Sequence, residues 1–324
     1  MQMWVIMLTA LAAFGIASFS GKMLIPLLRR LRFIRQENGT ADASGKNNLT
    51  GGGALLDTGT FTACALGYIV MRYISSQLVY ETDMTLFTAG QAAVLIASAA
   101  GFYIDRLESA GKKGGHGYSI GLMVYAVMSA VYLLVMFIDK GIGEHCTLGI
   151  PFYGNIKCGI WYYPVMLALM ILTADIAGSE GSESSVTAIS SAVMAAAGIL
   201  ILCTMKKYEE SIFFAAVSGA FMGFLVWGFP PEKTFLGKTG HYFSGMAAAL
   251  LTAWTGEPVI IFILLLPQLI ERISEAVLGA MGKTAPLSRY LSERYKKAYT
   301  VLMFFMTAVL SSLAGTAVFM KGGQ

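Results

Sequence analysis

Two carboxylates stand at the edges of long apolar stretches, where an unpaired charge is costly and a functional role is the default expectation. Asp105 closes the third such stretch and Glu180 follows the fifth. Facing one cleft, they would suit a magnesium ion, which keeps several waters and takes few protein carboxylates beside phosphate oxygens. The plainer reading is that each sits in a solvated connection and balances Arg106 or a nearby lysine. Gly237-Lys238-Thr239-Gly240 offers a turn, a cation and a hydroxyl just ahead of an apolar stretch, a pattern that suits an anion. Gly51-Gly52-Gly53 presents backbone amides at the start of another stretch, for a phosphate or for close helix packing. Without a following Lys-Ser/Thr it is no P-loop. Asp57 and Asp175 fall within or beside apolar stretches, where an inward, hydrogen-bonded carboxylate is expected. His116, His145 and His241 are scattered, and no Ser/His/Asp, Cys/His or zinc spacing can be assembled.

The elements that hold these groups are membrane helices. Of 324 residues, 56% are hydrophobic and 13% charged, against about 25% charged in an ordinary soluble domain. Apolar runs of spanning length lie at about 3–26, 52–71, 84–104, 118–138, 159–176, 185–204, 211–229, 241–255, 257–280 and 299–320. The expected fold is therefore an all-α polytopic membrane protein of about ten transmembrane helices, forming one domain over residues 1–324. The first run lacks a positive leader and is followed by Arg29, Arg30, Arg32 and Arg35, which reads as an anchor with its N-terminus outside. With the odd-numbered connections in the cytoplasm, that side holds 17 of the 23 Lys and Arg residues, and both termini lie outside. The net charge of +4 is too small and dispersed for nucleic acid. Cys64 and Cys203 lie inside apolar runs and read as small buried hydrophobes. Cys146 and Cys158 flank a short polar segment on the outer side, where a disulfide and free thiols are both chemically open.

The connections carry a further pattern. Leu49-Thr50-Gly51-Gly52-Gly53, Gly101-Phe102-Tyr103-Ile104-Asp105, Ala177-Gly178-Ser179-Glu180-Gly181 with Val186-Thr187-Ala188-Ile189, Pro231 through Gly240, and Ala285-Pro286-Leu287 follow one another in order. This order resembles the phospho-N-acetylmuramoyl-pentapeptide transferase family, of the polyprenyl-phosphate N-acetylhexosamine-phosphate transferases and glycosyltransferase family 4. The resemblance runs over nearly the whole chain. It implies ten membrane helices with both ends outside, a bacterial plasma-membrane location, and magnesium-assisted transfer of a phospho-sugar from a UDP-linked donor to undecaprenyl phosphate in peptidoglycan synthesis. Carried over by position, it implies catalytic roles at Asp105, Glu180 and Lys238, with Asp105 and Glu180 as metal ligands. It further implies substrate contacts at Thr50, Gly52, Gly53, Lys233, Thr239, His241 and Arg289. The partners it implies are polyprenyl phosphate, a UDP-sugar, membrane lipid and a second copy of the chain.

The departures gather where that chemistry would sit. The family's paired aspartates after the third span become Ile104 and Asp105, and the next loop's aspartates become Ala177 and Glu180. The asparagine after the seventh span becomes Gly228, an aspartate between Gly237 and Thr239 becomes Lys238, and the histidine run after Ala-Pro-Leu becomes Ser288-Arg289-Tyr290. An ammonium group in place of a carboxylate repels magnesium, and can instead meet a phosphate directly. The leading expectation is a pseudoenzyme that binds a lipid phosphate, a nucleotide-sugar or a pathway partner. The alternatives are an active transferase with an altered site built from Asp105, Glu180, Lys238 and His241, and a small-solute transporter with Asp57 or Asp175 at depth.

Overall fold

The computed structural model describes residues 2–30, 34–36, 48–74, 84–109, 117–143, 146–179, 183–281 and 286–322. The chain runs α1 (Gln2–Arg30), β1 (Ile34–Gln36), β2 (Asn48–Gly51), α2 (Ala54–Ile74), α3 (Met84–Ser109), α4 (Gly117–Lys140), β3 (Thr147–Ile150), β4 (Gly154–Lys157), α5 (Tyr162–Ala177) and α6 (Ser184–Thr204). It continues through α7 (Tyr208–Gly228), β5 (Thr234–Phe235), α8 (Gly237–Thr255), α9 (Pro258–Leu264), α10 (Leu266–Ala280), α11 (Leu287–Arg294) and α12 (Lys297–Gly322).

Among the described residues, 7 helices are long and apolar enough to cross a membrane: those of α1, α3, α4, α5, α6, α7 and α12. The protein is an all-α, multi-pass membrane protein. α2 carries the second apolar run, Ala54–Val70 being its apolar stretch among the described residues. Two apolar runs depart from a simple crossing. The eighth belongs to α8, which starts at Gly237, ahead of the expected boundary, and is buried over almost its whole length. The ninth is broken. A proline in the first turn of α10 has no N–H to continue α9, and the chain restarts after Leu265. Past that break α10 is amphipathic in the sense of a lipid-facing helix: Leu266, Ile270, Ile273 and Val277 are exposed, while Gln268 and Glu271 point inward.

The core lies where α7 and α8 meet their neighbours, filled by Phe213, Phe214, Phe221, Phe224, Tyr242 and Phe243. Small residues bring the backbones together, as expected where lipid gives helices no hydrophobic reason to associate. A Cβ at Gly223 would lie 2.8 Å from the Phe14 carbonyl oxygen of α1, and one at Gly245 would lie 2.6 Å from that of Ala174 in α5.

Two small sheets mark the two ends of the bundle. At one end β1, β2 and β5 form a sheet in that order, with β2 and β5 parallel through Thr50↔Thr234 and Gly51↔Phe235. This joins the connection after α1 to the one after α7. The same end gathers the connection after α5, where Ser184 Oγ accepts from Leu236 N at 3.0 Å, and the one before α12, where Ser288 Oγ accepts from Glu183 N at 3.2 Å. At the other end β3 and β4 form an antiparallel hairpin whose Gly149 N donates to Gly256 O at 2.9 Å.

Candidate functional site

The start of α8 is the point to which these connections converge. Gly237 has φ +69°, a conformation that glycine adopts without penalty, and it turns the chain into the helix. The N-cap residue, Leu236, has no side chain that can hold the first free amides. That role is filled from α3. Asp105 Oδ1 accepts from Lys238 N at 2.9 Å, and Oδ2 accepts from Thr239 N at 3.0 Å and from Thr239 Oγ1 at 2.8 Å. A carboxylate at a helix N-terminus is favoured both by these bonds and by the helix dipole.

Glycines let α3 and the β2–α2 turn come close enough for this. A Cβ at Gly101, one turn before Asp105, would lie 2.6 Å from Lys238 O and 2.8 Å from Thr239 Cα. A Cβ at Gly53 would lie 2.6 Å from Gly240 N and 2.7 Å from Leu236 O. A Cβ at Gly52 would lie 3.0 Å from the Phe224 ring, and Gly52 N donates to Phe235 O at 2.7 Å. In this arrangement Gly52 and Gly53 fill a backbone-to-backbone contact.

Lys238 points back along α3, where its Nζ lies 2.9 Å from Glu108 Oε1. Glu108 is three residues beyond Asp105 and therefore on the same helix face. Asp105, Lys238 and Thr239 are thus brought together. The other expected residues are placed apart or differently. Lys233 Nζ stands 5.4 Å from the centre of the Trp227 ring. His241 is buried in α8, with its carbonyl accepting from Tyr125 OH at 3.3 Å. Arg289 is exposed on α11. Thr50 contributes backbone pairing in β2, its side chain lying outside the described residues, as does Glu180.

A second polar cluster lies beside this one and was not expected as a unit. Arg272 of α10 reaches α5, donating from Nε to Asp175 Oδ2 at 3.0 Å and from Nη2 to Asp175 Oδ1 at 2.9 Å. Its Nη1 donates to Glu275 Oε2 at 2.8 Å, and Ser179 Oγ donates to the same oxygen at 3.0 Å. These residues, with Tyr125 and Tyr242, line a cleft of about 500 Å³ between α4, α5, α8 and α10. Asp105 and Lys238 do not line it. The expected inward partner for Asp175 is therefore Arg272, a residue that charge counting assigns to a connection but that the broken ninth run carries on a helix. Opposite charges on two apolar runs were the available signal, since a cation there needs a carboxylate. Asp57, also expected to be hydrogen-bonded, accepts from Ser98 Oγ at 2.6 Å.

Comparison with known proteins bears on this region directly. The profile described as Glycosyl transferase family 4 matches residues 87–256, from the start of α3 through the end of α8. The chain belongs to that family. Similar proteins include the phospho-N-acetylmuramoyl-pentapeptide-transferase of Clostridium perfringens (strain 13 / Type A), 25% identical over 283 residues, covering 83% of this chain and 81% of the relative. That of Bacillus velezensis is 26% identical over 327 residues, covering 94% and 95%. That of Halalkalibacterium halodurans is 24% identical over 287 residues, covering 86% and 84%.

The magnesium ion that the resemblance implies can be tested against these donors. Asp105 Oδ2 already accepts two hydrogen bonds and Oδ1 one, and the adjacent ammonium of Lys238 disfavours a second cation. Ala177 brings no oxygen on its side chain. Among the described residues, no group of three His, Cys, Asp or Glu side chains converges as a metal site would require. The described donors do not fit the ion.

Proposed function

We propose that this chain is a non-transferring member of the phospho-sugar transferase family, a pseudoenzyme of cell-envelope precursor synthesis that binds rather than reacts. The observation that carries this reading is the use of Asp105. Phosphoryl transfer needs groups that neutralise developing charge and handle a proton at the reacting centre. Asp105 instead closes the N-terminus of α8 with three accepted hydrogen bonds, and Lys238 is matched by Glu108. The orientation that goes with this reading has ten crossings, both termini outside and the α8 connections in the cytoplasm. It is supported by the basic residues on the odd connections and by the way those connections bond to one another.

Among the ligands of the family, the cleft favours a pathway partner over a UDP-sugar or a bare lipid phosphate. Arg272 is its one cation among the described lining residues, and Asp175 and Glu275 more than balance it. A phosphate entering there would meet no net positive charge. The experiment is direct: purified protein given UDP-MurNAc-pentapeptide, undecaprenyl phosphate and magnesium is expected to release no UMP. Release that disappears in Asp105→Asn would establish instead an active transferase with an altered site.

A further inference from the structure

At the end of the bundle away from α8's N-terminus, the β3–β4 hairpin pairs Thr147 with Lys157 and Leu148 with Ile156. One step back from Thr147 and one step on from Lys157 stand Cys146 and Cys158. One further backbone bond joins them just past the ladder, Cys158 N donating to Cys146 O at 3.0 Å, while Cys146 N donates to Gly143 O at 3.1 Å. A backbone N–H···O bond between facing residues of an antiparallel pair goes with Cα atoms about 5.5 Å apart, within the roughly 4.4–6.8 Å that a disulfide spans. Cys158 itself leaves the strand, with φ −91° and ψ −13°, and its Sγ lies 3.6 Å from Ile156 O. Cys146 is 1% exposed, while Cys158 is partly open to solvent. Both are thiols in this structure.

We propose that Cys146 and Cys158 are a disulfide site that closes the base of the outer hairpin. This rests on the orientation given above, which puts the hairpin in an oxidising compartment. The chemistry is exchange with a disulfide-carrying oxidant, protein or small molecule. The partly exposed Cys158 thiolate attacks one sulfur of that disulfide and expels a thiolate. Cys146, having lost its proton, then attacks Cys158 Sγ and expels the second. One S–S bond is broken and one formed, and the two electrons and two protons given up by the cysteines leave on the two thiols of the oxidant. The bond ties the segment after α4 to the segment before α5, under the turn at Gly256 on which Gly149 rests.

The test uses the full chain in the membrane of its own cells. Free thiols are capped with a maleimide in denaturing detergent, and the protein is then reduced, capped with a second, heavier maleimide and read by peptide mass. Cys146 and Cys158 are expected to carry only the second label, while Cys64 and Cys203 carry only the first. In Cys158→Ala, Cys146 is expected to move to the first label, a readout that survives even if the variant folds poorly. First label on both cysteines of the wild type overturns the pairing. A separate arm reduces intact cells and adds a membrane-impermeant maleimide, which is expected to reach Cys158. Failure to reach it overturns the outward hairpin, and with it the premise of this proposal, whatever the state of the thiols.

Discussion

The two ends of this bundle are joined in different ways. At the hairpin end the chain is turned mostly by its own backbone. Gly141, Gly154 and Gly256 take positive φ values of 64°, 83° and 67°, and the hairpin closes through strand pairing. Lys207, half-buried at this end, donates to the Trp254 carbonyl, and burial pushes the lysine's pKa down while Glu210 acts against that shift. At the α8 end, side chains close connections far apart in sequence: Asp105 to Lys238 and Thr239, Glu271 to Ser288, Arg272 to Asp175. In the family motifs this is where catalytic residues belong. Here Asp105, which keeps the family's residue, and Lys238 and Ser288, which do not, bond across these connections. A charged residue at the margin of a membrane helix is thus an incomplete argument for catalysis until its hydrogen-bond partners are known.

Variants can break or sharpen that contrast, and the largest effect is expected where the joint has no room. Gly101→Leu drives a side chain into the Lys238 backbone and should cost about 3 kcal/mol, read as a fall in unfolding temperature in detergent. A neutral result would show that α3 and α8 are not held together as described. Arg272→Met leaves Asp175 and Glu275 facing each other without a cation. These side chains are 18% and 36% exposed, so solvent relieves part of the loss, and about 2 kcal/mol is expected. Arg272→Met with Asp175→Leu should recover more than half of it, and failure to recover would mean that the pair does not act as one unit.

Asp105→Ala removes the cap of α8 and should cost about 1–2 kcal/mol in the same assay. At the other end, Gly154→Ala forces a side chain into a left-handed backbone with open space around it, so about 1 kcal/mol of pure backbone strain is expected. A larger loss would mean that the hairpin packs against something beyond its own strands. The smallest effect belongs to Lys238→Met, because Glu108 is 42% exposed and solvent already screens the pair. Less than about 1 kcal/mol is expected, shrinking further with added salt.

Much of this architecture was legible from apolar length alone, since a run of spanning length in lipid has little choice but to be a helix. The starts of α3, α6 and α12 fall within two residues of the expected boundaries. What was not legible depends on partners distant in the chain. Gly237-Lys238-Thr239-Gly240 reads as a turn because glycine and threonine are poor helix formers. It is nevertheless helical, because a carboxylate more than 130 positions earlier holds its amides. The run at 257–280 reads as one span across Pro267 although Glu271, Arg272 and Glu275 fall inside it, and charge counting sets Arg272 among the connections. Its pairing with Asp175 makes it part of the bundle. Asp105 and Lys238 were set together only in the altered-site alternative, with Glu180 and His241, and the bonds that join Asp105 to α8 and Lys238 to Glu108 were not read from the motifs.

The proposed function rests on Asp105 serving as a helix cap in place of a metal ligand. Thermal unfolding of the wild type and of Asp105→Asn, each with and without millimolar magnesium, tests it most directly. The account predicts that Asp105→Asn lowers the unfolding temperature by a few degrees, as loss of about 1 kcal/mol would, and that magnesium moves neither protein. A rise in the wild-type unfolding temperature with magnesium that Asp105→Asn abolishes would contradict it.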